Sequence, residues 1–219
     1  MREFDLTTWR NRLAAYLDFL WRDHAYLRLG FQNAHWVSNE FVRSNQPWPH
    51  QLRAWKRRGI RTVVNLRGGF DASFYALETD ACAMLGLKLV NFTLTSRDAP
   101  DRAQLLAAKA LFETLEYPVL VHCKSGADRA SLMSALYVHF RLGEDIPTAM
   151  RQLDLKYLHL KHSRTGILDY LFERYLSDRA DGQTFTGWIE SPTYDPAGIK
   201  ADYQAGGRGS VLADMVPRE

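Results

Sequence analysis

Short apolar runs alternate with amphipathic segments through the middle of the chain. The runs lie at 60–66, 87–94 and 119–121, and their length and apolar content predict buried strands. The segments between them, 72–85 and 102–115, carry apolar residues at helical spacing and predict helices. Because strands that alternate with helices form parallel βαβ units, we predict an α/β domain with a central, mostly parallel sheet flanked by helices.

The segments on either side extend this pattern. Residues 34–44 alternate weakly and predict a hairpin or two short strands, and the prolines that follow indicate a turn. Further helices are predicted at 51–58, from just after Arg129 to Leu142, near 147–155 and at 166–176.

The N-terminal segment from Thr8 to Leu29 predicts an amphipathic helix, with Thr7 or Thr8 as its N-cap. Its apolar positions fall at three- and four-residue steps, and they are Trp9, Leu13, Tyr16, Leu17, Leu20 and Trp21. This stripe either packs on the domain or lies in a lipid headgroup layer, which tryptophan and arginine side chains suit. We favour packing because Asp18 and Asp23 dilute the positive charge of the helix.

The composition changes beyond Ala180. Glycines and prolines become frequent there, and the few apolar residues follow no period. We therefore predict an irregular C-terminal arm, either extended or disordered. The three predicted parts are an N-terminal helical extension at 1–33, a central domain at 34–179 and this arm at 180–219.

The composition is that of a globular protein of 219 residues, with 46% hydrophobic residues and two cysteines. A net charge of +3 does not imply a nucleic-acid partner. The N-terminus lacks the uninterrupted apolar stretch of a signal peptide, and no segment approaches the length of a membrane span. Two cysteines are too few for a disulfide framework. We expect a cytoplasmic protein, and the N-terminal helix leaves peripheral membrane contact open.

A reactive site is predicted just after the run at 119–121, where Cys123 and Arg129 are six positions apart. The five residues between them suffice to curl the backbone round one tetrahedral anion, and Gly126 allows the curl. Inward N–H groups and the start of a helix attract a phosphate, while Arg129 offers a planar pair of donors. The positive electrostatic field of these donors also stabilises a thiolate, which makes Cys123 an anionic nucleophile. The predicted phosphate-binding residues are Lys124, Ser125, Gly126, Ala127, Asp128 and Arg129.

His122-Cys123-x-x-Gly126-x-x-Arg129 resembles the HCxxGxxR signature of cysteine-dependent protein tyrosine and dual-specificity phosphatases. A second stretch, RSNQP followed by GIRTVVNLR, resembles the entry region of a tyrosine phosphatase-like subgroup. The resemblance spans roughly 43–176. It implies the cysteine phosphatase fold and a reaction that passes through a phosphocysteine intermediate.

The resemblance also implies a general acid, because an alkoxide leaves well only when it is protonated as its bond breaks. Asp98 occupies the position of the acidic loop residue in that family, and it is our first candidate. Asp128 is an alternative, because a carboxylate beside a bound dianion holds its proton more readily. Asp101 is another, although it also suits the N-cap of the following helix.

Other positions also bear on the predicted reaction. His122 and Ser131 are predicted to support the loop rather than to contact the phosphoryl group. Ala130 stands where the family usually has Ser or Thr, whose hydroxyl helps to expel the thiolate. Unless Ser131 or Ser125 substitutes, we expect slow breakdown of the intermediate. Cys82 is interpreted as a small core residue, with a protective disulfide to oxidised Cys123 as the alternative.

A basic cluster bears on the substrate. Its six cations, with no acid among them, are Arg53, Lys56, Arg57, Arg58, Arg61 and Arg67. They form either a solvated helix face or a rim that holds additional phosphates. We predict neither cofactor nor metal, since His159 and His162 stand one helical turn apart with no cysteine or carboxylate pair nearby.

Three functions stay open at this point. The first is a phosphomonoester hydrolase that acts on phosphotyrosine or other phosphoprotein substrates. The second is a phosphatase of phosphoinositides or of another anionic phospholipid headgroup. The third, suggested by Ala130, is a weakly active phosphatase-like module that binds a phosphorylated partner.

Overall fold

The computed structural model describes residues 4–206, and their contacts divide them into two units. The first unit contains the described residues up to Thr93 together with Glu116–Gly126. The second contains Leu94–Leu115 and the described residues from Ala127 onwards. The sheet lies in the first unit, whereas the second unit is helical.

The strands of the first unit form one sheet in the order β1-β2-β5-β3-β4. They are β1 (His35–Trp36), β2 (Phe41–Ser44), β3 (Thr62–Asn65), β4 (Lys88–Asn91) and β5 (Val119–His122). β1 is antiparallel to β2 and the other neighbours are parallel, which confirms the predicted, mostly parallel sheet. The last residues of the four parallel strands lie side by side, and they are Ser44, His122, Asn65 and Asn91. The loop that begins at Cys123 therefore leaves the sheet at its carboxyl edge.

The α-helices among the described residues of this unit are α1 (Trp9–Arg22), α2 (Pro49–Arg57) and α3 (Ser73–Leu85), and a short 3-10 helix follows α1 at Ala25–Arg28. Local signals set their ends. The Thr8 hydroxyl caps α1, Pro49 opens α2, and Gly86 ends α3 with φ at +60°. Cys82 of α3 packs in the apolar core, and burial together with the charge of Glu78 raises the pKa of its thiol to about 12. Cys82 is therefore a neutral core thiol, and both cysteines are free.

The helices of the second unit are α4 (Arg102–Thr114), α5 (Asp128–Phe140), α6 (Ile146–Ala149), α7 (Ile167–Asp178), α8 (Phe185–Glu190) and α9 (Pro196–Ala205). Asp101 caps α4, because its Oδ1 accepts a hydrogen bond from the Gln104 N–H at 2.7 Å. α5 is buried on all sides from Ala130 to Val138, as expected of a helix that is apolar around its whole circumference.

The prediction of an irregular C-terminal arm is wrong for the described part of that segment. α8 and α9 are regular helices, and the Phe185 and Trp188 side chains are fully buried. The Trp188 ring lies 4.9 Å from the Tyr194 ring between centroids. Aromatic packing outweighs the glycine and proline content, and Pro196 opens α9 rather than breaking it. Residues 207–219 of the predicted arm lie outside the described residues.

Thr8 is the N-cap of α1, as predicted, but only part of the predicted apolar stripe packs on the unit. Its buried face centres on Ala15 and Phe19, which pack with Trp48. Of the predicted apolar stripe, Tyr16 and Leu20 join this contact. The other four stripe residues are exposed, so the prediction that the whole stripe packs on the domain is wrong.

Candidate active site

The loop that carries Cys123 begins in the first unit, directly after β5. Cys123 is buried, and the Gly126 N–H donates to its sulfur with 3.2 Å between N and Sγ. Gly126 adopts φ of +75°, a left-handed conformation that turns the chain back on itself. Because an N–H directed at sulfur stabilises the negative charge of a thiolate, this geometry fits a nucleophilic cysteine.

The carbonyl groups of the same loop are held from outside it. The hydrogen bonds run from Gln46 N to Lys124 O (3.2 Å), from Asn33 Nδ2 to Ser125 O (3.1 Å) and from Arg43 Nη2 to Gly126 O (2.8 Å). A trans peptide directs its N–H opposite to its C=O, so the N–H groups of Ser125 and Gly126 turn away from these partners. Successive amides that turn inward in this way form a concave site for a tetrahedral anion.

Four charged side chains beside this part of the loop form a charge cluster: Asp23, Arg28, Arg67 and Lys124. Asp23 Oδ1 lies 2.6 Å from Arg67 Nη2 and 3.7 Å from Lys124 Nζ, and Arg28 pairs with the same carboxylate. Burial raises the pKa of Asp23, but the hydrogen bond and charge of Arg67, with the other two cations, hold it below its usual value. Three cations and one carboxylate leave an excess of positive charge beside the Cys123 loop.

Asp23 and Arg28 are functional candidates that sequence reasoning missed. Burial lowers the pKa of the Arg28 guanidinium, while Asp23 and a Cys123 thiolate favour its charged form. In the sequence both residues look like ordinary charges at the end of an amphipathic helix. Arg67, the partner of Asp23, is 44 positions away from it, and no local pattern indicates that pairing.

His122, predicted to support the loop, is fully buried at the end of β5. Its Nε2 lies 2.6 Å from Oε1 of Glu78, a buried residue of α3. The same Glu78 oxygen accepts a hydrogen bond from Gln46 Nε2 at 3.0 Å. Gln46 also holds the Lys124 carbonyl through its backbone, so these contacts join α3, β5 and the loop.

In the second unit, Asp128 and Arg129 form the first turn of α5. The buried side chain of His159 bridges two carboxylates, with Nδ1 2.7 Å from Asp128 Oδ1 and Nε2 2.6 Å from Asp169 Oδ2. Burial lowers the pKa of His159, but the hydrogen bonds and charges of the two carboxylates raise it to about 9. His159 is therefore a cation at neutral pH and balances the charge of Asp128. This buried bridge also escaped sequence reasoning, because His159 lies 31 positions from Asp128.

A family model described as "DSP-PTPase phosphatase fused to NAD+ Kinase" matches residues 32–165, more than half of the chain. The chain belongs to this family. It is a phosphatase of the cysteine-dependent dual-specificity and tyrosine phosphatase-like superfamily, as the signature loop predicted. No curated protein matches the chain significantly.

Solved structures support the fold. TpbA of P. aeruginosa aligns with a TM-score of 0.52 and 18% identity, over 79% of this chain and 91% of TpbA. Tk-PTP in its active form aligns with a TM-score of 0.53 and 18% identity, over 68% of this chain and 98% of Tk-PTP. PTPMT1 aligns with a TM-score of 0.50 and 15% identity, over 66% of this chain and 97% of PTPMT1. At these identities the similarity establishes the α/β cysteine phosphatase fold alone.

The candidate general acids of this phosphatase lie in the second unit. Asp98 is partly exposed, and its carboxylate forms an ion pair with Lys200 of α9. The Tyr194 hydroxyl donates to the Pro100 carbonyl oxygen, so the C-terminal segment holds the loop that carries Asp98 at two points. Asp101 is the N-cap of α4, the alternative role that the sequence suggested for it.

The remaining predicted residues of the loop lie at the start of α5. Ala127 is the buried N-cap residue, and Ala130 and Ser131 are fully buried in the helix. Ser125 is half-buried, in the part of the loop that belongs to the first unit.

The six cations predicted to form one cluster divide between two places. Arg67 follows β3 at the carboxyl edge of the sheet and belongs to the charge cluster. Arg61 precedes β3 at the opposite edge, and the other four lie on α2 or at its C-terminus. These five side chains are exposed, as in the solvated-face interpretation. The six cations do not form one continuous cluster, because the length of β3 separates Arg67 from Arg61.

Among residues 4–206, no group of His, Cys, Asp or Glu side chains is arranged to hold a metal ion. Within the same residues, every helix is too short or too polar to cross a membrane.

Proposed function

We propose that this protein hydrolyses phosphate monoesters through a phosphocysteine formed on Cys123. The observation that carries the proposal is the hydrogen bond from the Gly126 N–H to the Cys123 sulfur, within a loop whose carbonyl groups are bonded outward. The excess positive charge of the charge cluster favours a bound phosphate dianion.

The reaction has two steps. Cys123 Sγ attacks phosphorus, the S–P bond forms and the ester P–O bond breaks, while Asp98 gives a proton to the departing oxygen. Loop amides and the Arg129 guanidinium hold the phosphoryl oxygens. Water then attacks the phosphocysteine, the S–P bond breaks, and the carboxylate of Asp98 takes the proton from the water.

Asp98 is the preferred acid because its position is partly exposed, whereas Asp128 is buried and Asp101 caps a helix. Asp128 is buried, with its Oδ1 2.7 Å from Nδ1 of the protonated His159. Asp101 accepts the hydrogen bond that starts α4. Asp98 pairs with Lys200 at a partly exposed position, and it can reach a leaving group once that pair separates.

Phosphotyrosine and other phosphoproteins are the proposed substrates. A structure of P. aeruginosa TpbA is described as a complex with pTyr, and that protein shares the fold. Anionic phospholipid headgroups are the second candidate, because Lys124 and Arg67 place additional positive charge beside the loop.

The catalytic domain is proposed at 34–179, and the cytoplasmic location stays a prediction.

A burst of product is expected when the purified protein is mixed with p-nitrophenyl phosphate. Because Ala130 lacks the hydroxyl that helps to expel the thiolate, the intermediate should form quickly and break down slowly. Rapid-quench kinetics should give p-nitrophenol equal to the enzyme concentration before a slower steady state. Mass spectrometry of the quenched protein should find the phosphate on Cys123.

Two variants control this experiment. Cys123→Ser should show no burst while still binding phosphate, whereas Cys82→Ser should keep the burst, because Cys82 is a neutral core thiol. Linear release from the first turnover would contradict slow breakdown. If no aryl phosphate is hydrolysed, the phosphate-binding module replaces the enzyme as the better assignment.

Asp98→Asn is expected to slow alkyl phosphate hydrolysis by about 10²–10⁴-fold. The loss on p-nitrophenyl phosphate should be much smaller, because that leaving group needs little protonation. The measurement is kcat/KM for both substrates. Asp101→Asn is the matched control, because asparagine is an equally good N-cap and should preserve both activities. An equal loss on both substrates for Asp98→Asn would transfer the role to Asp128.

A further inference from the structure

The segment from α8 to α9 lies beyond residue 165, where the family match ends, and it is packed into the second unit. The Trp188 side chain is fully buried, and the Tyr194 ring lies 4.9 Å from the Trp188 ring between centroids. Tyr203 of α9 donates its hydroxyl to the Ser163 carbonyl oxygen at 2.7 Å. These contacts fix the segment in its place, so a group that it bonds is held by a packed structure.

The acid loop, residues 95–101, is bonded to this segment through its backbone. The buried Tyr194 hydroxyl donates to the Pro100 carbonyl oxygen. Pro100 is buried and has no N–H, so this carbonyl is the backbone group through which it can be held. Burial and then the charge of Asp101 raise the pKa of the Tyr194 hydroxyl, which keeps it protonated and able to donate. The bond therefore fixes the chain two residues after Asp98.

An ion pair between Asp98 and Lys200 also joins the acid loop to the segment. The Asp98 side chain is 43% exposed and the Lys200 side chain 45%, so water screens the pair and it restrains the loop weakly. The pair also engages the carboxylate that must reach the leaving group. The bond from Tyr194 is buried and leaves that carboxylate free to change partners, so it can act throughout the reaction.

We propose that Tyr194 is a positioning residue for the general acid, and that it sets the place of the Asp98 carboxylate through the Pro100 carbonyl. The proposal rests on the proposed function, which assigns the acid to Asp98. A general acid must lie within about 2.6–3.2 Å of the atom that it protonates, and a misplacement of about 1 Å can cost about 10²-fold in rate. Tyr194 acts through the loop rather than on the substrate.

Tyr194→Phe tests the proposal, because it removes the hydroxyl and keeps the ring beside Trp188. We expect kcat/KM for glycerol 2-phosphate, an alkyl phosphate, to fall by about 10-fold to 10²-fold. The value for p-nitrophenyl phosphate should change by less than about twofold, because that leaving group needs little protonation. A general loss of structure would lower both values. In the Asp98→Asn background the same substitution should cause no further loss, because its effect passes through Asp98.

Tyr203→Phe is the matched control. Tyr203 is 4% exposed and Tyr194 is 5% exposed, and each hydroxyl donates to a backbone carbonyl. The carbonyl that Tyr203 contacts belongs to Ser163 rather than to the acid loop. Both variants should lower the urea midpoint of unfolding by a similar amount, because each loses one buried hydrogen bond. Only Tyr194→Phe should change the ratio of the two kcat/KM values.

Hydrogen–deuterium exchange measures the holding of the acid loop without turnover. The amides of residues 95–99 should exchange several-fold faster in Tyr194→Phe than in wild type, and at the wild-type rate in Tyr203→Phe. Unchanged exchange in Tyr194→Phe, an equal loss on both substrates or a further loss in the Asp98→Asn background overturns the proposal. Wild-type activity with an unchanged substrate ratio in Tyr194→Phe overturns the role of Tyr194 alone. A wild type that hydrolyses no aryl phosphate overturns the phosphatase function and this role together.

Discussion

Gly126→Ala should lower kcat/KM for p-nitrophenyl phosphate by at least ~10²-fold, with the protein still folded. Gly126 has φ of +75°, and a Cβ there would lie 2.7 Å from the Asn45 N and 2.8 Å from the Ser44 carbonyl carbon. Both atoms belong to backbone that continues from β2, so they cannot yield as a flexible side chain would. The loop must move instead, and the Gly126 N–H then no longer points at the Cys123 sulfur.

The matched control is Gly59→Ala. Gly59 has φ of +95°, so alanine meets the same kind of backbone strain, but no atom lies within 4 Å of its Cβ. Both variants should lose about 1–2 kcal/mol of unfolding free energy from the left-handed conformation, measured in urea. Only Gly126→Ala should also lose activity. Activity near wild type in Gly126→Ala would show that the loop amides are not needed in their present position.

His159→Gln is expected to lower the free energy of unfolding by about 3–5 kcal/mol. The wild-type imidazolium satisfies Asp128 and Asp169, which are both buried, and a neutral amide leaves their charges uncompensated. Urea denaturation at pH 7 measures the difference. Activity should fall as well, because an uncompensated Asp128 carboxylate in the first turn of α5 repels a phosphate dianion.

The pH dependence of the unfolding free energy tests the His159 bridge independently. The pKa of His159 is about 9 in the folded protein and about 6.5 when unfolded, so the folded state binds this proton more tightly. Its contribution to stability is complete below about pH 6.5 and is lost as the pH rises through about 9. Wild type should therefore lose stability over this interval, and His159→Gln should lack that decline.

His162→Gln serves as the control, since His162 is exposed and three residues away. It should match wild type in stability and in pH dependence. If His159→Gln is as stable as wild type at pH 7, the bridge is not a stabilising ion network. In that case Asp128 would return as a candidate general acid.

The elements with strong local signals were predictable. Apolar runs between glycine or proline positions gave β3, β4 and β5, and Gly86 correctly marked the end of α3. The C-terminal helices were missed because glycine and proline dominated the composition, although Phe185 and Trp188 are separated by a helical turn. Packing of those aromatic rings provides the free energy that local propensity lacks.

Sequence alone determined the signature loop, since a strand end, Cys123, Gly126 and Arg129 are neighbours along the chain. The roles predicted for them rest on local backbone geometry and helix polarity, which depend on few residues. Only tertiary structure decided two long-range pairings: Asp23 with Arg67, and His159 between two carboxylates. These pairings join positions far apart in the chain. Burial makes them necessary, because a charge removed from water is stable only beside a partner of opposite charge or a hydrogen-bonding group.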